Sequence, residues 1–222
     1  GNTAPTPDRT VTVAASGAEQ APLKLTPEIQ QGLVDWLHSS DASNLTGELD
    51  AQAQRQEKLM RMVKTVLLTK HLKTDNLPVE VMPGLFIGSI GAAYNKDALF
   101  ARGVTHIISV GKGLPRPYPE DFQYLNIEIL DKPDCDITQY FHQCFSHIQT
   151  GIERGGCLVH CFAGKSRSCT IIVAYMMHTL GRDWDQCLDL VREKRSIVDP
   201  NAGFRSQLKA WGERGAPAPR VV

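Results

Sequence analysis

The sequence predicts an α/β domain: a mostly parallel or mixed sheet of about five strands flanked by helices, with an N-terminal helical extension in front of it. Three observations carry this. Short β-branched runs alternate with longer segments of helical periodicity from about residue 85 to 213. Glycine and proline mark the changes between them. With 42% hydrophobic residues in 222, the chain has enough apolar material for a packed core.

In chain order, residues 1–25 are rich in Ala, Thr, Pro and Gly without apolar periodicity, and are expected to form a flexible lead-in. Thr26 can cap a helix, Pro27 suits its first turn, and Ile29, Leu33, Trp36 and Leu37 recur at helical spacing up to about Ser39. A second helical run from Thr46 to Lys73 opens with Glu48 and Asp50 in a favourable acidic turn. Asn76-Leu77-Pro78 breaks it, so residues 26–75 form the extension and 76–213 the α/β domain, followed by a polar tail, 214–222. Within the domain, strands are expected at 85–87, 105–110, 124–130 and 157–160. Helices are expected between Gly88 and Gly103, along the Ile137 to Ile152 stripe, and at 166–180, 183–194 and 201–213.

Composition narrows the function classes. Twenty-four basic and 24 acidic residues give no net charge, which removes a global reason to expect nucleic-acid binding. The first 25 residues lack a basic start followed by an apolar block, so no signal peptide is expected. Gly1-Asn2 would suit N-myristoylation, but Pro5 stands where the motif wants Ser or Thr. The longest nearly apolar run, Thr170 to Met177, is too short to span a bilayer. The six cysteines sit in apolar or helical stretches and read as free thiols of a reducing compartment, cytoplasmic or nuclear.

The stretch that carries chemistry is LVHCFAGKSRSCT, residues 158–170. An apolar strand ends at His160, Cys161 opens a loop, and Arg167 and Ser168 start a helix. A loop between a strand and a helix N-terminus aims several backbone amides at one point, where the helix dipole adds positive potential. Phe162, Ala163, Gly164, Lys165 and Ser166 would wrap a tetrahedral dianion, and Arg167 would add a planar charged fork. The same field favours a thiolate at Cys161, a nucleophile facing the phosphoryl group. The leaving oxygen then needs a proton from a nearby carboxylic acid. No metal or cofactor is expected.

The segment HCFAGKSRS resembles the active-site signature of the cysteine-dependent dual-specificity protein phosphatases, a branch of the protein tyrosine phosphatase-like fold. PGLFIGS at 83–89, THIISV at 105–110, LDKPDCDITQYF at 130–141 and PNAGFRSQL at 200–208 resemble further blocks of that family in the same order. The likeness covers about residues 77–212; NK at 95–96 and KR at 194–195 bring it closest to small plant-type members. The resemblance implies that Cys161 is the nucleophile, Arg167 the phosphate-binding arginine and Ser168 the hydroxyl that helps the thiolate leave phosphocysteine. It further implies that Asp131 is the general acid, His160 orders the loop and tunes the thiol, and Asn201 steadies the loop's backbone. Asp136, just before Ile137, reads as a helix cap, and Asp134 is a weaker rival to Asp131.

The resemblance also implies a shallow site open to phosphotyrosine and to phosphoserine or phosphothreonine of proteins, with activated mitogen-activated protein (MAP) kinases as a family-level substrate. Lys165 occupies a loop position where phosphoinositide phosphatases of the superfamily often carry lysine, but Phe162 stands where they have a second one, so phosphoinositide or phosphoglucan substrates are the alternative. A catalytically silent phosphoprotein-binding module is the alternative of another class.

Residues 54–73 hold Arg55, Lys58, Arg61, Lys64, Lys70 and Lys73 against Glu57, interleaved with Leu59, Met60, Met62, Val63, Val66, Leu67, Leu68 and Leu72. The first expectation is that this helix packs its apolar face on the domain. Calmodulin binding over 54–75 is the second, since Leu59, Val63, Val66 and Leu72 stand at relative positions 1, 5, 8 and 14, and contact with an anionic membrane surface is the third. His142, Cys144 and His147 read as packing residues, as do Trp184 and Trp211, and Cys135, Cys157 and Cys169 as candidates for a disulfide with an oxidised Cys161.

Overall fold

In the computed structural model the described residues are 23, 25–38 and 48–214. The expected lead-in and tail lie almost wholly outside them, as does the link between the two extension helices. The extension consists of α1 (Pro27–His38) and α2 (Glu48–Thr74). The domain follows as β1 (Val79–Met82), β2 (Leu85–Gly88), α3 (Ile90–Ala93), α4 (Lys96–Ala101), β3 (His106–Val110) and β4 (Gln123–Ile127). A 3-10 turn, Thr138–Tyr140, leads into α5 (Phe141–Arg154), β5 (Cys157–His160), α6 (Arg167–Leu180), α7 (Trp184–Lys194) and α8 (Ala202–Glu213).

The five strands form one sheet in the order β1-β2-β5-β3-β4. β1 runs antiparallel to β2, and the other pairs are parallel, with Gly88 beside His160 and Ser109 beside His160. The predicted mixed α/β sheet is therefore present. Its strands read as continuous apolar runs because both faces are covered. Leu85, Ile87, Ile108, Val110, Cys157 and Val159 point into one core with α5, α6, α7 and α8. Phe86, Ile107 and Leu158, one residue out of step, meet Ala93, Leu99 and Phe122 on the other face.

Four elements differ from the sequence expectation. β1 was not anticipated, because a four-residue edge strand with an exposed Glu80 carries little apolar pattern. The stretch from 88 to 103 is two short helices, since Ser89 caps α3 and Asn95 caps α4 through their side-chain oxygens. β4 ends at Ile127 where 130 was expected: its pairing with β3 stops as that strand ends at Val110. The helix expected from Ile137 starts as a 3-10 turn, with Asp136 Oδ1 accepting from the Thr138 amide at 2.9 Å and hydroxyl at 2.7 Å. Asp136 is thus engaged locally, as its reading as a cap required.

The extension corrects a further expectation. α2 buries its last turns on the domain, Leu68 lying with Ile90, Tyr94 and Leu114 and Leu72 packing beside them, and α1 joins the same cluster through Ile29, Leu33 and Trp36. Leu59, Met60, Met62, Val63, Val66 and Leu67 remain exposed. At 100° per residue these six positions share an arc of about 160° on the side of α2 opposite Leu68 and Leu72, so the face that meets the domain leaves them uncovered.

Candidate active site

In an open α/β sheet, ligands gather where parallel strands end at their carboxyl side. Here β5 delivers His160 and Cys161, β3 delivers Ser109, and β4 leads through Ile129 to Asp131. The loop 162–166 then turns into the N-terminus of α6. Among the described residues, no backbone amide from Phe162 to Ser166 donates to a protein acceptor, so these donors stay available to an anion. Gly164 is what lets the chain make this turn: its φ is +62°, and a Cβ would come within 2.5 Å of the Gly88 carbonyl oxygen.

Cys161 is buried at the floor, with Sγ 3.3 Å from the Ser168 hydroxyl. His160, buried behind it, places Nε2 2.8 Å from Ser109 Oγ. Burial drives the His160 pKa down to about 4, opposed by a contact with the Cys161 backbone and helped by the Arg167 charge, so the imidazole is neutral at physiological pH. Arg167 leans over the loop with its donors under-used. Its Nη1 reaches the Ile129 carbonyl at 3.5 Å, and its Nε lies 3.5 Å from Asp131 Oδ2 without forming a hydrogen bond. A half-satisfied guanidinium above a ring of unsatisfied amides is a site built for a multiply charged oxyanion.

Asp131 is brought to this cradle, with Oδ1 accepting from Ser166 Oγ at 2.7 Å and from Asn201 Nδ2 at 2.8 Å. Asp134 has no comparable contact with the loop, and Asp136 is turned into its own helix start. Asn201 departs from its expected role: it does not hold loop backbone. Its amide N–H donates to Ser166 Oγ at 3.1 Å, its side-chain N–H holds Asp131, and its Oδ1 caps α8 through the Phe204 amide. Gly203 completes the arrangement, since a Cβ there would come within 1.9 Å of the Pro133 carbonyl oxygen, and Gln207 grips Cys135 O and the Ile137 amide. The start of α8 thus pins the acidic loop.

The sequence reading missed a clamp on the backbone of the cradle. Arg195, 7% exposed, donates through Nε to Gly164 O at 3.0 Å and through Nη2 to Ala163 O at 3.1 Å. Its other face forms a two-pronged pair with Asp75, both contacts 2.8 Å. Asp75 closes α2, and its carbonyl oxygen accepts from Ser89 Oγ at 2.6 Å. The basic pair at 194–195 and the run of polar residues after α2 were visible signals, but nothing in the chain joins them. Lys165 is half exposed and pairs with Asp199 at 3.4 Å.

Phe162 turns away from the cradle and packs on Trp36 and His71, with ring centroids 6.0 and 5.4 Å apart. His142, Cys144 and His147 diverge: His142 meets Trp211, Cys144 is in the core, and His147 meets His106. Trp184 and Trp211 pack at the edge of that core. All six cysteines are free thiols. Burial pushes the Cys144 thiol up to about 12 and raises those of Cys157 and Cys169 further, which makes them poor nucleophiles.

A family model described as "Dual specificity phosphatase, catalytic domain" matches residues 85–214. Dual specificity protein phosphatase 1B of Arabidopsis thaliana is 47% identical over 133 residues, 60% of this chain and 80% of its own. Dual specificity protein phosphatase 1 of the same plant is 38% identical over 172 residues, 77% of this chain and 87% of its own, which carries the likeness beyond the span of the family model. MAP kinase phosphatase with leucine-rich repeats protein 3 of Dictyostelium discoideum is 40% identical over 135 residues, 60% of this chain but 16% of its own. Among solved structures, that of DUSP15 superposes with a TM-score of 0.60 at 39% identity, over 64% of this chain and 91% of that one. With more than half of its length matched and a cysteine–arginine phosphate cradle at the end of its central strand, the chain belongs to the dual specificity phosphatase family of protein phosphatases.

Proposed function

We propose that the protein removes phosphate from phosphotyrosine and from phosphoserine or phosphothreonine of proteins through a phosphocysteine intermediate, and that it does so in the cytoplasm or nucleus. The observation that carries this reading is the convergence of Cys161, Ser168 and the Asp131–Ser166–Asn201 cluster on one loop of free amides. The phosphoryl group sits on the loop amides, and Arg167 leaves its long contact with Asp131 to chelate two of its oxygens. The Cys161 thiolate attacks phosphorus, the P–O bond to the substrate breaks, and Asp131 gives its proton to the leaving oxygen. The Asp131 carboxylate then takes a proton from a water, which attacks the phosphocysteine. Ser168 donates to the departing sulfur, and orthophosphate and thiolate are restored.

Phosphate release from a panel of phosphotyrosyl and phosphothreonyl peptides and phosphoinositides, with Cys161→Ser and Asp131→Ala alongside, tests this. Turnover surviving in Cys161→Ser would refute the intermediate, and a preference for phosphoinositides would favour the lipid alternative. The Lys165–Asp199 pair argues against that alternative, because the one loop lysine already has a carboxylate partner. A silent binding module would require loss of a reacting group, and Cys161, Arg167 and Asp131 are all in place. Activated MAP kinases are the proposed protein substrates, supported by the likeness to the Dictyostelium MAP kinase phosphatase.

The second expectation for residues 54–75 gains support from the exposure of Leu59, Val63 and Val66 on a basic helix. We propose calcium-loaded calmodulin as a partner there. A calcium-dependent mobility shift of the whole chain that is lost in Leu59→Glu/Val66→Glu is the expected result, and no shift would remove the proposal.

A further inference from the structure

The extension and the cradle together enclose a cleft of about 440 Å³. Trp36 from α1, Met60, Val63 and Leu67 from α2, Leu114 from the loop after β3, and Phe162 from the cradle line it. Arg167 lines it too, so cleft and phosphate cradle share a wall. The size and the mainly apolar lining are those of a ligand site.

Three features define what such a cleft takes. First, the apolar residues of its α2 wall, which stand among Glu57, Arg61 and Lys64, are open to water: Met60 is 67% exposed, Val63 46% and Leu67 41%. Second, the opposite wall is fixed: the Phe162 ring rests on Trp36 and His71, and its carbonyl oxygen accepts from the Ile90 amide at 3.0 Å, so it does not fold in to fill the space. Third, the shared Arg167 means that an occupant lies next to a phosphoryl group seated on the loop. In an extended peptide each residue advances roughly 3.3 Å, so side chains one to three positions from the phosphorylated residue fall within reach.

We propose that this cleft is a substrate subsite that takes a large apolar side chain adjoining the phosphorylated residue of a phosphopeptide. The inference rests on the protein-phosphatase reading above and deepens it. A lipid acyl chain fits less well: Lys64 and Lys112 also line the cleft, and Lys64 sits 3.6 Å from the Trp36 ring centroid with its pKa already lowered by burial. A long tail would strip further water from these ammonium groups. An apolar side chain in a peptide that also carries acidic residues would meet them with carboxylates.

The test compares kcat/KM of the full chain on phosphopeptides that differ only in having Leu or Phe against Ala at each of the three positions on either side of the phosphorylated residue. An advantage of roughly tenfold or more for the apolar residue is expected at one of these positions. The ratio should fall to about two or less in Val63→Asp and in Met60→Ala/Leu67→Ala, and persist in Thr69→Ala on the same helix outside the cleft. Working with the ratio removes any general loss of activity. Peptides turned over without preference, or a preference unmoved by both cleft variants, would overturn the subsite while leaving the protein-phosphatase reading intact. If no peptide is turned over faster than by Cys161→Ser, that reading falls and the subsite with it. Faster turnover of phosphoinositide vesicles that both cleft variants slow would instead assign the cleft to an acyl chain.

Discussion

Replacing Asp75 by Asn removes one charge from a buried pair and leaves the shape nearly unchanged. Arg195, 7% exposed, then keeps its bonds to Gly164 O and Ala163 O but has no counter-ion. Breaking a buried pair from one side costs about 3–5 kcal/mol, and the two surviving carbonyl bonds place this case near the low end, about 3 kcal/mol. For a domain of this size that lowers Tm by about 6–12 °C. The cradle should loosen as well, because the guanidinium that grips its backbone is no longer held from behind; a fall of about ten- to a hundredfold in kcat/KM follows from small misplacement of the phosphate. Acid gives an independent check. Burial by itself would raise the Asp75 pKa, but the contacts with His71 and Arg195 outweigh it and bring the carboxyl down to about 2. A carboxyl depressed in the folded state stabilises it above the unfolded pKa of about 3.9, and that stabilisation is lost as pH falls toward 2. The gap in Tm between the parent chain and Asp75→Asn should therefore shrink between about pH 4 and 2. Thermal melts across that range, with phosphate release at neutral pH, decide it. A Tm within about 2 °C of the parent together with unchanged kcat/KM would refute the clamp.

Other expectations follow from the same geometry. Asp131→Asn should lower kcat by about 10²–10⁴ for a phosphothreonyl peptide, whose alkoxide needs the proton, and by less for an aryl phosphate with an acidic phenol; equal losses would remove Asp131 as the acid. Gly164→Ala forces a Cβ into the Gly88 carbonyl at a left-handed φ, so activity should fall far more than Tm, and near-parent phosphate release would show that the loop can turn otherwise. His160 should titrate near 4 by NMR. Because the unfolded chain takes up that proton at about 6.5 and the folded one does not, His160 should cost stability progressively as pH falls from about 6.5 to 4, a slope absent in His160→Gln.

How much of this could be read from the sequence depended on distance along the chain. The cradle was legible because strand, nucleophile, glycine, arginine and the Ser168 hydroxyl lie within residues 157–170, and each residue type has its own physical demand. Asp131 could be picked from three nearby acids because the family resemblance put the acid at that position, after an expected strand, while Asp136 had a local use. The Asp75–Arg195 clamp could not, since its partners are separated by 120 positions and Asp and Arg are ordinary surface residues until packing buries them. Asn201 was expected to steady the backbone of the loop, yet its bonds go to Asp131, to the Ser166 hydroxyl and to α8; the close approach of Gly203 to Pro133 shows why. The extension's helices followed from periodicity, but which of their apolar residues would be covered depended on a meeting with α3 that no local pattern encodes.

The clamp also separates two meanings of the word domain. The block of sequence shared across the family begins at residue 85, whereas the physical unit that holds the cradle rigid reaches back to Asp75 and the last turn of α2. A fragment trimmed to the shared block would still carry Cys161, Arg167 and Asp131, yet it would contain an arginine buried beneath its reaction centre with nothing to neutralise it. Kinetic comparisons between the full chain and a fragment of it cut at the shared boundary would then measure the loss of that counter-charge as if it were a property of the reaction centre.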